Sequence, residues 1–304
     1  FGSESQTMTD VKLEILMLGP AEVLLDGKSI YIKRRLNRAL LFYLSAQRHP
    51  VTRDDVCNLF WPDEPEDKAR KNLREALSRL RVELGIPDLI LTIGDQLSIN
   101  PVLVRVDSME FDRIVTPLMN STEMNTPATL PEWMVLQLKT AMGMCRTSRF
   151  LQGISLVKAR GFANWLELSN QSYNYGRMKV IDRLADHYLS LGSLDEALIW
   201  LGIGLETNRF DEEMNFLTLI CLRDMGKTRE LIDYVNYLAA SDIYSLINFP
   251  GIDVLQRDKG SRFLTGIYDF RNRLAASINQ ALPQPQASLA QAMFLGITKD
   301  IPQD

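Results

Sequence analysis

The densest run of reactive side chains lies between Lys68 and Arg81, where Lys68, Arg70, Lys71, Arg74, Arg79 and Arg81 stand against one acid, Glu75. Ammonium and guanidinium groups neutralise phosphates, and an arginine fork matches the two acceptors on a guanine edge. The spacing says that these cations ride on a helix. Leu73, Ala76, Leu77, Leu80 and Leu84 recur at i, i+3, i+4, i+7 and i+11, one apolar stripe facing a core. Gly85 follows where a helix C-terminus favours positive φ. Opposite the stripe fall Lys71, Arg74, Glu75 and Ser78, with Arg79 and Arg81 on the flanks. We assign Lys71, Arg74 and Ser78 to the major groove of double-stranded DNA. Arg70, Arg79 and Arg81 lie nearer its phosphates, and Asn72 is suited to capping or contact. The alternative for the same residues is a solvated face balanced by Glu64, Glu66 and Asp67.

The elements on either side must hold that helix in place. Residues 13–18 (LEILML) alternate apolar side chains, and Asp26-Gly27 sits between two β-prone runs, so a small antiparallel sheet of about three strands is expected over residues 12–32. A helix over 36–47 is closed by Pro50. Thr52 and Asp55 form a capping box for a second helix, and residues 61–67 (WPDEPED) break it and load carboxylates at the start of the third. After Gly85, residues 89–100 read as a hairpin turning at Gly94-Asp95. Sheet, helix, helix, basic helix and hairpin follow one another in the order of a winged helix. Arg34, Arg35 and Arg53, at the starts of the first two helices, are further candidates for phosphate contact, as are Thr92 and Gln96 in the hairpin.

The overall balance excludes several classes. Net charge is −4 and residues 1–114 hold 16 Lys and Arg against 18 Asp and Glu, so the positive charge is local to one helix. No apolar run approaches the ~18–20 residues that cross a bilayer, and no signal-peptide core opens the chain, so a cytoplasmic protein without membrane partners is expected. Cys57, Cys145 and Cys221 fit no disulfide framework, and His49 and His187 share no ligand-spaced neighbour, so no metal site is expected. Phosphate-loop, serine-elbow and His–Glu metal motifs are missing, and Gly202-Ile203-Gly204 lacks the strand that dinucleotide binding needs. Asp54-Asp55 and Glu212-Glu213 are explained as helix starts. No enzyme and no cofactor are expected.

The remainder reads as helical. Apolar spacing predicts helices from about Ser108 and over 131–145, separated by a polar stretch at 120–129 taken as a junction. Ala185, Tyr188, Gly192 and Ala197 recur 34 residues later as Leu219, Leu222, Gly226 and Leu231, the period of tetratricopeptide-like helix pairs. Trp165, Tyr173, Tyr175 and Trp200 are expected to pack. Residues 281–291 (ALPQPQASLAQ) are Pro/Gln-rich and linker-like.

Residues 33–85, followed by the hairpin and residues 106–114 (VDSMEFDRI), resemble the antibiotic-regulatory-protein type of bacterial transcription regulator, as do residues 150–153 (FLQG), 165–168 (WLEL) and the repeats. Such proteins join an OmpR/PhoB-like winged helix to a bacterial transcriptional activation domain. The resemblance implies that residues 66–84 are the recognition helix and 89–100 the wing, and that the protein binds DNA as a homodimer. It also implies that relatives continue into a nucleotide-binding switch domain. The expected fold is mainly α with small antiparallel sheets, a winged helix-turn-helix followed by a TPR-like repeat domain. Its expected divisions are 1–11 as tag or disordered start, 12–106 as the DNA-binding domain, 107–280 as the helical domain and 281–304 as tail or linker. The expected function is a sequence-specific transcription regulator whose repeats contact a second copy or RNA polymerase. The competing reading is a signalling scaffold, the N-terminal part of a larger switch protein, whose winged helix binds protein.

Overall fold

A computed structural model describes residues 13–119 and 129–240, with side chains to residue 238. The expected tag at 1–11, most of the polar junction and the Pro/Gln-rich tail at 281–304 lie outside the described residues. The chain divides into two compact units, residues 1–207 and 208–304.

The first unit opens with β1 (Leu13–Leu16), β2 (Glu22–Leu25) and β3 (Lys28–Ser29). Leu13 and Ile15 are fully buried, so the alternation read from the sequence is the in–out pattern of the strand. Asp26 and Gly27 both take positive φ, 48° and 74°, as a two-residue hairpin turn of this kind requires. Then come α1 (Arg35–Ser45), β4 (Val51–Thr52), α2 (Arg53–Phe60) and α3 (Glu66–Leu84). A hairpin of β5 (Ile90–Ile93) and β6 (Gln96–Ile99) leads to β7 (Val104–Val106).

Two strands go beyond what the sequence pattern offered. The β7 strand pairs parallel to β1, with Leu13 opposite Val104, and makes the first sheet a mixed one of order β3-β2-β1-β7. The β4 strand pairs with β6 and turns the hairpin into a three-stranded antiparallel sheet. Strands of two and three residues carry no periodicity, and their pairing is set by what they land beside.

Among the described residues of this unit four helices follow, α4 (Asp107–Met119), α5 (Glu132–Met144), α6 (Arg160–Ser190) and α7 (Leu194–Thr207). The Asp107 carboxylate accepts from the backbone N–H of Met17 at 2.7 Å and of Leu18 at 3.0 Å, which ties the start of α4 to the end of β1. The α6 helix is joined to α1 and α2 by aromatic rings. Trp165 packs on Tyr43 at 5.0 Å between centroids, Phe162 on Phe60 at 5.3 Å, and Tyr43 on Phe60 at 5.7 Å. Such pairs contribute roughly 0.5–1.5 kcal/mol each beyond the area they bury. Trp165 and Tyr173 therefore pack as expected, whereas Tyr175 is exposed.

The described part of the second unit is a helix pair, α8 (Glu212–Asp224) and α9 (Thr228–Ala240). Its turn reproduces the α6–α7 turn at an offset of 34 residues. Gly192 and Gly226 take φ of 71° and 68°. The Ser193 N–H donates to Tyr188 O, and the Lys227 N–H to Leu222 O, each at 2.9 Å. This bond over a left-handed glycine satisfies carbonyls that a helix end leaves open, which is why the glycines keep the repeat spacing.

Candidate nucleic-acid interface

Local rules position the basic helix. Thr52 caps α2, accepting from the Asp55 N–H at 3.1 Å while Asp55 reaches back to the Thr52 N–H. The Trp61–Pro65 turn then reverses the chain into α3, whose first turn carries Glu66 and Asp67 against the helix dipole. Ala69, Leu73, Ala76, Leu77, Leu80 and Leu84 are all buried, so the apolar stripe is the face that docks. Gly85, at φ 67°, ends the helix and the Ile86 N–H donates back to Arg81 O.

On the outer face Lys71, Arg74, Glu75 and Ser78 are exposed together, as the spacing required, and Asn72 is half-buried. Arg74 makes one long bond, from Nε to Arg70 O at 3.4 Å, and has no carboxylate partner among the described residues. Lys71 has none either. Arg79 pairs with Glu75 at 3.1 Å, one turn away.

Arg70 and Arg81 are committed within the fold. Arg70 meets Asp54 at 2.5 Å, Glu66 at 3.2 Å and Asp95 at 3.4 Å, three carboxylates drawn from α2, α3 and the hairpin turn. Arg53 also faces Asp95, at 3.9 Å, and its N–H donates to Asp95 O at 2.9 Å. The hairpin tip is thus fastened to the N-terminal end of α3. Arg81 Nη2 donates to Ile90 O at 2.8 Å and fastens the other end to β5. Arg34 and Arg35 are exposed before and at the start of α1, and Thr92 and Gln96 are exposed on the hairpin.

Ile93, 72% exposed at the hairpin tip, is an apolar surface residue that the spacing did not single out, and Val82 on α3 is 79% exposed. The Arg70 cluster was half legible, since Glu66 and Arg70 are four residues apart on one helix. Asp54 and Asp95 arrive only through the fold.

Among the described residues no group of three His, Cys, Asp or Glu is placed to hold a metal ion, and no helix is long and apolar enough to cross a membrane. Burial pushes the Cys57 thiol up, and those of Cys145 and Cys221 to about 11, so all three stay protonated near neutrality.

Comparisons with protein-family profiles and with curated proteins found no match. Among solved structures, the chain is similar to Mycobacterium tuberculosis EmbR in complex with a low-affinity phosphopeptide. The TM-score is 0.55 at 15% identity, over 92% of this chain and 68% of that one. The fold is mostly helical with small N-terminal sheets, a winged helix followed by a helical domain.

Proposed function

We propose that this protein is a sequence-reading DNA-binding transcription regulator of the antibiotic-regulatory-protein type. The observation that carries the proposal is the outer face of α3, where Lys71, Arg74 and Ser78 stand exposed and the two cations have no carboxylate partner among the described residues. Free cations on a helix beside a wing are available to a groove without first breaking ion pairs. The EmbR-like fold supports the reading, because it sets the same arrangement of a winged helix before a helical domain. In this reading residues 12–106 bind DNA, with Lys71, Arg74 and Ser78 in the groove. Arg34, Arg35, Thr92 and Gln96 lie toward the phosphates. Arg70 and Arg81 instead hold the wing, which revises their expected part as phosphate contacts. The helices and repeats of 107–280 contact a second copy or RNA polymerase, and the chain works in the cytoplasm without catalysis.

Selection of bound sequences from a random DNA pool, with the whole chain at near-physiological salt, tests this. A reproducible motif, above all a direct repeat, is the expected result. One observation favours the scaffold reading, the exposed Val82 and Ile93, which are apolar enough for a protein surface. A pool that stays random, with binding lost as salt rises, would select that reading.

A further inference from the structure

Away from α3, the structure buries a cation that makes no ion pair among the described residues. It is Arg177, in α6, 5% exposed. Its Nη1 donates to Thr207 Oγ1, and its Nε–H has no partner. Trp200, in α7, is 8% exposed, and its indole N–H also lacks a partner. A buried donor without an acceptor is costly, and a buried guanidinium without a counter-charge more so.

Both residues line one open cleft of about 650 Å³, between α5, α6, α7 and the loop after α5. Its size lies within the range of small-molecule sites. Lys139 and Arg146 stand on the same wall, but each has an acid of its own, Glu196 at 3.6 Å and Glu22 at 3.5 Å. Glu206 is the one carboxylate among the lining residues. Met142 and Ile203 add apolar surface beside the Trp200 ring. The loop that lines the cleft is fastened to the chain just after β1, since the Arg146 N–H donates to Leu18 O at 2.8 Å.

We propose that this cleft binds a small organic anion, a carboxylate or phosphate ester with an apolar or aromatic body, whose anionic group pairs with the Arg177 guanidinium. An anionic oxygen accepts from several donors at once and supplies the charge that Arg177 lacks. The apolar body lies over Met142, Ile203 and the indole. The site is separate from the DNA-facing helix and stands whether or not the protein binds DNA.

Calorimetric titration of the whole chain with phenyl phosphate and with benzoate tests the proposal, with phenol as the neutral probe and inorganic phosphate as the anion without a body. At least one aromatic anion is expected to bind with a Kd of ~1 mM or tighter. Phenol and inorganic phosphate should bind more weakly, and the stronger of the two aromatic anions identifies the head group. Arg177→Lys keeps the charge but loses the fork and should weaken binding roughly tenfold to a hundredfold, and Trp200→Phe shrinks the aromatic surface beneath the body and should weaken it about fivefold. If Arg177→Lys does not fold, Trp200→Phe decides alone. The proposal fails if neither aromatic anion binds below ~10 mM, if phenol binds as well as the stronger aromatic anion, or if Trp200→Phe leaves the Kd unchanged.

Discussion

Replacing Arg74 and Arg70 separately by alanine distinguishes a cation that reads DNA from one that holds the wing. Arg74 gives up only a long bond to Arg70 O, so its guanidinium reaches a base edge at little internal cost. A bidentate arginine–guanine contact contributes ~1–3 kcal/mol, so Arg74→Ala should cost about 5- to 150-fold on the selected site and less on bulk DNA. Arg70 must release Asp54, Glu66 and Asp95 before it can meet a phosphate. Arg70→Ala is therefore expected to weaken binding indirectly, by leaving those carboxylates uncovered and the hairpin tip loose. Adding Asp95→Asn should then recover part of the loss. The salt dependence provides a second readout, because each phosphate contact adds ~0.9 to the slope of log K against log salt. Arg70→Ala should move that slope by much less than one contact. Fluorescence anisotropy over a salt series measures all four proteins. The reasoning is refuted if Arg74→Ala binds the selected site like the parent while Arg70→Ala lowers the slope by a full contact and Asp95→Asn restores nothing.

Three further outcomes are expected. Asp107→Ala leaves the buried N–H groups of Met17 and Leu18 without their acceptor, and at ~1–3 kcal/mol for each unmet donor the urea midpoint should fall by the equivalent of roughly 2–5 kcal/mol. Gly226→Ala, forced to φ 68°, should lose about 1 kcal/mol, while Gly202→Ala, in α7 where an added Cβ meets nothing within 4 Å, should gain up to ~1 kcal/mol; thermal melts that move the same way for both would contradict this. Burial, with the charges of Arg183 and Lys139, holds the His187 imidazole below its ordinary value, and its Nδ1 accepts the Leu130 N–H at 2.9 Å. With a depressed folded pKa the unfolded chain takes up the proton first, so this contribution is intact above ~6.5 and is lost as pH falls through the folded value. The parent should therefore lose more stability than His187→Gln between about pH 7.5 and about pH 5.5, and parallel pH profiles would rule the linkage out.

Taken alone, the sequence determined what depends on near neighbours. The bounds of α3 follow from the carboxylates before it, the i+3/i+4 leucines within it and the glycine after it. The capping box at Thr52, the hairpin turn at Asp26-Gly27 and the 34-residue recurrence of a left-handed glycine are local in the same way. Each is an interaction within about one helical turn or one hairpin, so residue type and spacing suffice. Tertiary structure decided which side chains are still available. Arg70 and Arg74 are the same residue type one turn apart, and only the arrival of Asp54 and Asp95 from other elements makes one a clasp and leaves the other free. The short strands β4 and β7, the aromatic joint of Tyr43, Phe60, Phe162 and Trp165, and the unpaired guanidinium of Arg177 belong to the same class. Their partners are distant in the chain, and long-range pairing leaves no period in the sequence.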